Sequence, residues 1–248
     1  HSSYDKKINQ LKKEAEISER LRRSLHDTVQ ELRGNIRVVC RVRPDISGET
    51  ADCDTMTFPD HPELKGRAIA LHEDFVGGGQ HLYEFDAVFQ PETPQQVCFE
   101  EIQPMVQSTM DGKNACIFSY GQSGSGKTHT MLGTPEQPGM IPMALDHIFC
   151  ERAKLAEQGW VTRIECSLIE IYNETVRDLL TEGAPANTSS LPIHHTSKGA
   201  QVEGARIVVV DDIADVNSIM AEATKRRATG KTLINDTSSR SHAIFTMA

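Results

Sequence analysis

The chain has 248 residues, of which 38% are hydrophobic, 25% charged and 5% aromatic, and its formal net charge is −9. This composition is typical of a globular domain and excludes a disordered tail, a collagen-like repeat and a disulfide-stabilised mini-protein. The longest apolar runs, 115–118 and 207–210, are far shorter than the roughly 20 residues that span a bilayer, so no membrane segment is predicted.

The charge is distributed unevenly along the chain. Residues 1–43 carry 11 Lys or Arg and 6 Asp or Glu, whereas the rest of the chain carries 15 and 29. A nucleic-acid-binding protein usually has its basic surplus on the folded body, and here the body is acidic, so no nucleic-acid partner is expected. The six cysteines form no CxxC pair, which indicates reduced thiols in the cytosol or nucleus. Cys40 and Cys116 lie in apolar runs and are predicted to be buried.

The N-terminal segment predicts one long helix. Residues 4–33 lack Pro and Gly and are rich in Lys, Glu, Arg and Leu, and Gly34 follows as a helix stop. With Ile8 at heptad position a, six of eight a and d positions over four heptads are apolar, the exceptions being Ser18 and Arg22. This pattern favours the end of a coiled coil. The alternative is a single amphipathic helix that lies on its own domain.

Four further elements follow in chain order. Residues 36–42 predict a strand that ends before Pro44, and residues 83–89 predict a second strand. Residues 95–110 predict a helix. The short uncharged run 114–119 is typical of a strand that is buried on both faces of a parallel sheet.

That predicted strand leads directly into a phosphate-binding motif. The sequence GQSGSGKT matches G-x-x-x-x-G-K-[ST], and a predicted helix follows it. The glycines allow backbone N–H groups to point inward and form a cradle for phosphates. We expect Lys127 to reach the β- and γ-phosphates and the Thr128 hydroxyl to hold Mg²⁺, so the chain is predicted to bind a nucleoside triphosphate. The residues of this cradle are Gly121, Gln122, Ser123, Gly124, Ser125, Gly126, Lys127 and Thr128.

Motifs on both sides of this loop carry a family resemblance. In chain order they are RVRP at 41–44, FDAVF at 85–89, EIYNE at 170–174, VRDLL at 176–180 and NDTSSRSH at 235–242. Together with the phosphate loop, these segments resemble the kinesin family, whose switch I signature N-x-x-S-S-R-S-H is matched at all six specified positions. The resemblance covers residues 35–248.

The resemblance implies a fold and a domain organisation. The fold is the α/β three-layer fold of the P-loop NTPases, with a central, mostly parallel sheet flanked by helices. Residues 1–34 correspond to a neck helix, and residues 35–248 to the N-terminal two-thirds of a motor domain. Because the neck precedes the motor, the chain resembles the C-terminal-motor kinesins, which move toward microtubule minus ends.

Part of the family's pattern is missing from these 248 residues. The switch II motif D-x-x-G-S-E and most of the segments that contact microtubules do not occur. We therefore expect the remainder of the motor domain to be supplied from outside these residues, by a second chain or a further segment. The 248 residues alone are not expected to be active.

The resemblance also implies roles for individual residues. It places the adenine of ATP or ADP among four residues, namely Arg41, Arg43, Pro44 and His129. It assigns Mg²⁺ to Thr128 and Ser239. In switch I, Ser239 contacts the γ-phosphate, Asn235 and Ser238 position the attacking water, and Arg240 pairs with the switch II glutamate.

The implied activity is a microtubule-stimulated ATPase that moves along microtubules or crosslinks them in the cytoplasmic and spindle cytoskeleton. The implied partners are tubulin and a second neck helix, in a homodimer or a heterodimer. The alternative is a kinesin-like nucleotide-binding or microtubule-associated module without hydrolysis, dimerised through the neck helix. A P-loop kinase is a third hypothesis, against which the switch I match argues.

Overall fold

The structure is a computed structural model that describes residues 2–44, 56–72, 79–181, 190–197, 199–229 and 241–248. These residues form two compact units, 1–144 and 145–248. None of the described helices has the length and apolar content that a membrane crossing needs.

The first unit contains short strands and three helices before a fourth helix leads into the second unit. Its elements are α1 (Ser2–Arg33), β1 (Val39–Arg41), β2 (Met56–Thr57), β3 (Ala68–His72), β4 (Gln80–Glu84), β5 (Ala87–Phe89), α2 (Gln95–Met110), α3 (Lys127–Met131) and the start of α4 (Met140–Glu157). Strands β2, β3 and β4 form an antiparallel sheet, and β1 pairs in parallel with β5.

The second unit is built around one long strand. Its elements after α4 are β6 (Ile164–Tyr172), β7 (Thr175–Asp178), β8 (Ile193–Thr196), β9 (Gly199–Val202), β10 (Val208–Val210), α5 (Ile213–Thr229) and β11 (Ser241–Met247). Strand β6 pairs with β10, β11 and β7, whereas β8 and β9 form a separate hairpin.

The core of the second unit lies on one face of β6. Ile164, Cys166 and Leu168 are buried at alternate positions, as expected for a strand with one face in the core. Burial raises the pKa of the Cys166 thiol to about 11, so this side chain stays neutral. A cluster around Leu168 joins the sheet to α5, and its members are Leu168, Leu179, Leu180, Ala223, Val208, Ile219, Met220 and Phe245.

The helix predictions from local periodicity are confirmed, whereas the strand predicted at 36–42 is shorter, since β1 spans only Val39–Arg41. Helix α1 ends at Arg33, and Gly34 follows with a φ of +93°, the left-handed conformation of a helix stop. Helix α2 has the predicted bounds.

The predictions that depended on strand pairing are only partly right. Six of the seven strand pairs in the described residues are antiparallel, and β1–β5 is the parallel one. The predicted strand 83–89 is two strands, because the chain changes partners between them. Phe85 N–H donates to Arg67 O at 2.7 Å and Asp86 N–H donates to Val38 O at 3.0 Å.

The predicted buried strand at 114–119 is wrong. These residues form no strand, Phe118 is 79% exposed, and Cys116 is exposed as well. An extended segment becomes a strand only when another strand supplies hydrogen-bond partners, and none of the strands described here pairs with this segment. Cys40, by contrast, is half-buried, and burial raises the pKa of its thiol.

The C-terminal half of α1 lies against α2 of the same unit. The carboxylate of Asp111, directly after α2, is 2% exposed and accepts a hydrogen bond from Arg22 Nη2 at 2.5 Å. Arg23 Nε lies 3.6 Å from the same oxygen. Because a carboxylate this deeply buried is stable only with a cationic partner, Arg22 is a docking residue rather than a defect in the heptad pattern.

Further polar contacts join α1 to the α2 segment. They include the ion pairs Asp27–Lys113 at 3.2 Å and Arg33–Glu101, and the contacts of His26 Nε2 with Pro104 O and Ser108 Oγ, both at 3.0 Å. This half of α1 therefore lies on its own domain, as the alternative interpretation had it. The large apolar side chains of the heptad stripe remain 50–83% exposed, namely Ile8, Leu11, Leu25, Val29 and Leu32.

Candidate functional site

The segment before α3 forms a tight, glycine-dependent loop. Gly124 and Gly126 have φ values of +78° and +93°, and Gly126 directly precedes the first residue of α3. A Cβ on Gly121 would lie 2.5 Å from Ser125 Oγ. The backbone conformation therefore favours glycine at positions 124 and 126, whereas Gly121 leaves room for the Ser125 side chain.

The ammonium group of Lys127 lies over this loop. Its Nζ donates to Gly121 O and Gln122 O, both at 2.7 Å. An ammonium group has three donors that rotate freely, so phosphate oxygens can replace these carbonyls without a change in the loop. The geometry thus places a positive charge within hydrogen-bond distance of the loop backbone at Gly121 and Gln122. Thr128 follows on α3 with its side chain exposed.

Arg43 contacts the same loop from the end of β1. Its Nη1 donates to Gly124 O, and its Cδ lies 3.9 Å from the position of a Cβ on Gly126. Pro44 and His129, the other expected neighbours of an adenine ring, are exposed. The structure therefore brings one of the four predicted adenine residues into direct contact with the phosphate loop.

Arg41 makes different contacts from those that the sequence suggests. Its Nη1 donates to Gln95 Oε1 at 2.6 Å and to Thr130 Oγ1 at 3.0 Å. The guanidinium group is therefore bound to protein groups of α2 and α3.

Gln95 was missed by the sequence reasoning. It is the first residue of α2 and only 6% exposed, and its Nε2 donates to His129 O at 2.6 Å. The available signal was its position, because Gln95 lies on the same helix face as Cys98 and Phe99, which are also buried. A glutamine at a core-facing position needs hydrogen-bond partners, and this requirement could have identified Gln95 as a candidate for a structural or functional contact.

The predicted switch I residues Asn235, Ser238, Ser239 and Arg240 lie outside the described residues. The signature continues into β11, where Ser241 and His242 pair with Tyr172 and Ile171. Arg227, near the end of α5, donates from Nη2 to Ser241 Oγ at 3.1 Å and pairs with Glu170 at 3.3 Å. The two described ends of the switch I segment are thus joined by one arginine.

Comparison with known proteins gives one family. The family model described as the kinesin motor domain matches residues 41–248. Kinesin-like protein KIN-14C of Arabidopsis thaliana is 42% identical over 92% of this chain and 31% of its own length. Kinesin-like protein KIFC1 of Cricetulus griseus is 39% identical over 90% of this chain and 39% of its own length. The chain therefore spans about a third of the length of these curated relatives.

Solved structures agree with this result. The C-terminal motor and motor homology domain of Kar3Vik1, fused to a synthetic heterodimeric coiled coil, has a TM-score of 0.86 at 31% identity, covering 99% of this chain and 63% of that one. The motor domain of the Saccharomyces cerevisiae kinesin-related protein Kar3 has a TM-score of 0.72 at 34% identity, covering 86% of this chain and 65% of that one. These neighbours confirm the P-loop NTPase fold class that the sequence predicted.

Proposed function

Because this chain belongs to the kinesin motor family, we propose that it binds ATP with Mg²⁺ and is part of a motor that hydrolyses ATP to move along microtubules. The observation that carries the proposal is the position of Lys127 Nζ, which lies 2.7 Å from two carbonyl oxygens of a loop with left-handed glycines at positions 124 and 126. ATP supplies the free energy of phosphoryl transfer. The residues of the chain position the ATP phosphates and stabilise the negative charge on them.

The proposed roles of the loop residues follow from their chemistry. Lys127 binds the β- and γ-phosphates, and backbone N–H groups of residues 121–128 bind the remaining phosphate oxygens. Thr128 holds Mg²⁺ together with Ser239, since hydroxyl oxygens suit this cation.

The remaining roles are proposed from the family motif and from the loop contacts. In switch I, Asn235 and Ser238 position the attacking water, and Arg240 pairs with an acidic partner outside these residues. The adenine pocket is proposed at Arg43, Pro44 and His129, next to Arg41 on β1.

The proposed direction of movement is toward microtubule minus ends. Two observations support it: α1 precedes the motor segment, and one structural neighbour is described as a C-terminal motor. The proposed place of action is the microtubule cytoskeleton of the cytoplasm, including the spindle.

The proposed assembly is a dimer formed through α1, with a second copy or a related chain. The Kar3Vik1 neighbour is described as fused to a synthetic heterodimeric coiled coil. In this chain, the apolar stripe of α1 is exposed, while the contacts with α2 use charged and polar side chains.

Replacing Ile8 and Leu11 together with Asp is expected to dissociate this dimer. Each substitution removes an apolar side chain that is about half exposed in the single chain, and full burial of such a side chain contributes about 1.5–3 kcal/mol. Light scattering of the intact protein should then give the mass of single chains. Ile17→Asp is the matched control, because Ile17 is 66% exposed but lies off the stripe, and it should leave the mass unchanged.

The function is tested by ATPase and gliding assays on the intact motor that carries this chain. We expect microtubules to stimulate ATP turnover and polarity-marked microtubules to glide with the direction of a minus-end motor. Nucleotide binding without stimulated turnover would favour the non-hydrolysing module instead. Plus-end movement would contradict the proposed direction alone.

A further inference from the structure

Helix α3 carries the two residues proposed to bind phosphate and Mg²⁺, yet it is only five residues long. Isolated helices of this length have almost no stability of their own, so the orientation of α3 must come from contacts with other elements. Its C-terminal end shows such a contact. Leu132 N–H and Gly133 N–H both donate to Thr128 O, at 2.8 and 3.4 Å, so the N–H that would bond to His129 O in a continuing helix bonds to Thr128 O instead.

Gln95 supplies the donor for that carbonyl. Its Nε2 lies 2.6 Å from His129 O, and its Oε1 lies 2.6 Å from Arg41 Nη1. A carbonyl only accepts hydrogen bonds and a guanidinium only donates them, so the two partners fix the orientation of the carboxamide. Asparagine carries the same carboxamide but is one methylene shorter, and methionine, which is similar in length, offers neither a strong donor nor a strong acceptor.

The contact extends to β1 through Arg41. Its Nη1 is shared between Gln95 Oε1 and Thr130 Oγ1, the latter at 3.0 Å. The backbone of α3 and a side chain of α3 are therefore both tied to the end of β1, one through Gln95 and one directly. Because Gln95 is 6% exposed, water does not compete strongly for these bonds.

We propose that Gln95 is a positioning residue that fixes α3, and with it Lys127 and Thr128, relative to β1. This inference rests on the proposed function, because the position of α3 matters for nucleotide binding only if Lys127 and Thr128 bind the phosphates and Mg²⁺. Gln95 acts through His129 O and Arg41, and the two phosphate- and metal-binding side chains begin α3 directly after the loop.

The test compares two variants in the intact motor protein. Gln95→Met keeps the length of the side chain and removes both hydrogen bonds. Gln95→Glu keeps the acceptor for Arg41 and removes the donor for His129 O. Both should weaken the binding of a fluorescent Mg·ADP analogue about tenfold or more, as expected for loss of a buried hydrogen bond that leaves its partner unpaired. The ATP KM should rise, while the microtubule concentration for half-maximal ATPase should stay within about twofold of the unmodified protein.

The matched control is Gln96→Met, because Gln96 is the next residue of α2 and is exposed. This substitution should change neither the nucleotide affinity nor the microtubule affinity. Unchanged nucleotide affinity in a folded Gln95 variant would overturn the inference, and so would a parallel loss of nucleotide and microtubule affinity, which indicates a general structural defect. If neither variant folds, Gln95 is required for folding and the positioning role is rejected. Lys127→Ala, measured in parallel, distinguishes failure of the inference about Gln95 from failure of the proposed function. If Lys127→Ala leaves nucleotide binding intact, the proposed function itself fails.

Discussion

Replacing Lys127 with Ala is expected to abolish tight binding of ATP and ADP. The substitution removes the ammonium group that lies 2.7 Å from two carbonyl oxygens of the loop, where the phosphates are proposed to bind. When nucleotide binds, phosphate oxygens are proposed to replace these carbonyls as partners of Lys127. Hydrogen bonds to charged groups contribute about 1.5–3 kcal/mol each, so the loss of two such bonds to phosphate oxygens corresponds to about a hundredfold or more in the dissociation constant for nucleotide. The measurement is titration of a fluorescent ADP analogue into the intact motor.

Lys65→Ala is the control for this experiment. Lys65 also forms an ion pair, at 2.7 Å with Asp60, but both side chains are largely exposed and neither belongs to the loop. Exposed pairs of this kind contribute little to stability, and nucleotide affinity should be unchanged. A change of less than about threefold for Lys127→Ala would show that the phosphate site lies elsewhere.

Replacing Gly133 with Ala is expected to destabilise the first unit strongly. Gly133 has a φ of +71°, and a Cβ there would collide with the backbone at Gln137 O and Gly139 N and would lie 2.7 Å from the Pro138 carbonyl carbon. These atoms cannot move apart without opening the bridge between Gly133 and Pro138 and the Gly139 N–H to Leu132 O hydrogen bond of 3.0 Å. We expect a loss of about 3 kcal/mol or more in the free energy of unfolding. Thermal unfolding should shift downward by roughly 5–10 °C.

Gly66→Ala separates the steric effect from backbone strain. Gly66 has nearly the same φ, +72°, but a Cβ there would meet no atom within 4 Å. Gly66→Ala should therefore lower the free energy of unfolding only by the strain of the left-handed conformation, about 1–2 kcal/mol. Equal destabilisation by the two substitutions would mean that the tight turn at Gly133 does not exist in the folded protein.

The features that the sequence predicted well are local ones. The bounds of α2 and the end of α1 follow from helical periodicity and from Gly34. The phosphate loop was recognisable because its glycines and Lys127 stand in one short segment, and their backbone geometry depends mainly on one another.

The features that failed depend on partners distant in the chain. The run 114–119 has the composition of a buried strand, but pairing is decided by other strands. The stretch 83–89 was predicted as one strand because its composition does not show that Phe85 and Asp86 bond to two different segments. Gln95 was missed for a related reason, since its partners Arg41 and His129 lie 54 and 34 residues away.

The docking of α1 on α2 determines how a mechanical load would pass into this unit. The contacts extend from Arg22 to Arg33, which is about 16 Å along a helix, and they end on Asp111 and Glu101. A pull along the helix axis loads these contacts together, in shear, whereas a pull away from α2 breaks them one after another, as in peeling. The docked helix therefore resists a force along its axis better than a force directed away from α2. Because several of the contacts are ion pairs, added salt should lower the force needed to peel α1 from α2 more than it weakens the packing of the apolar core.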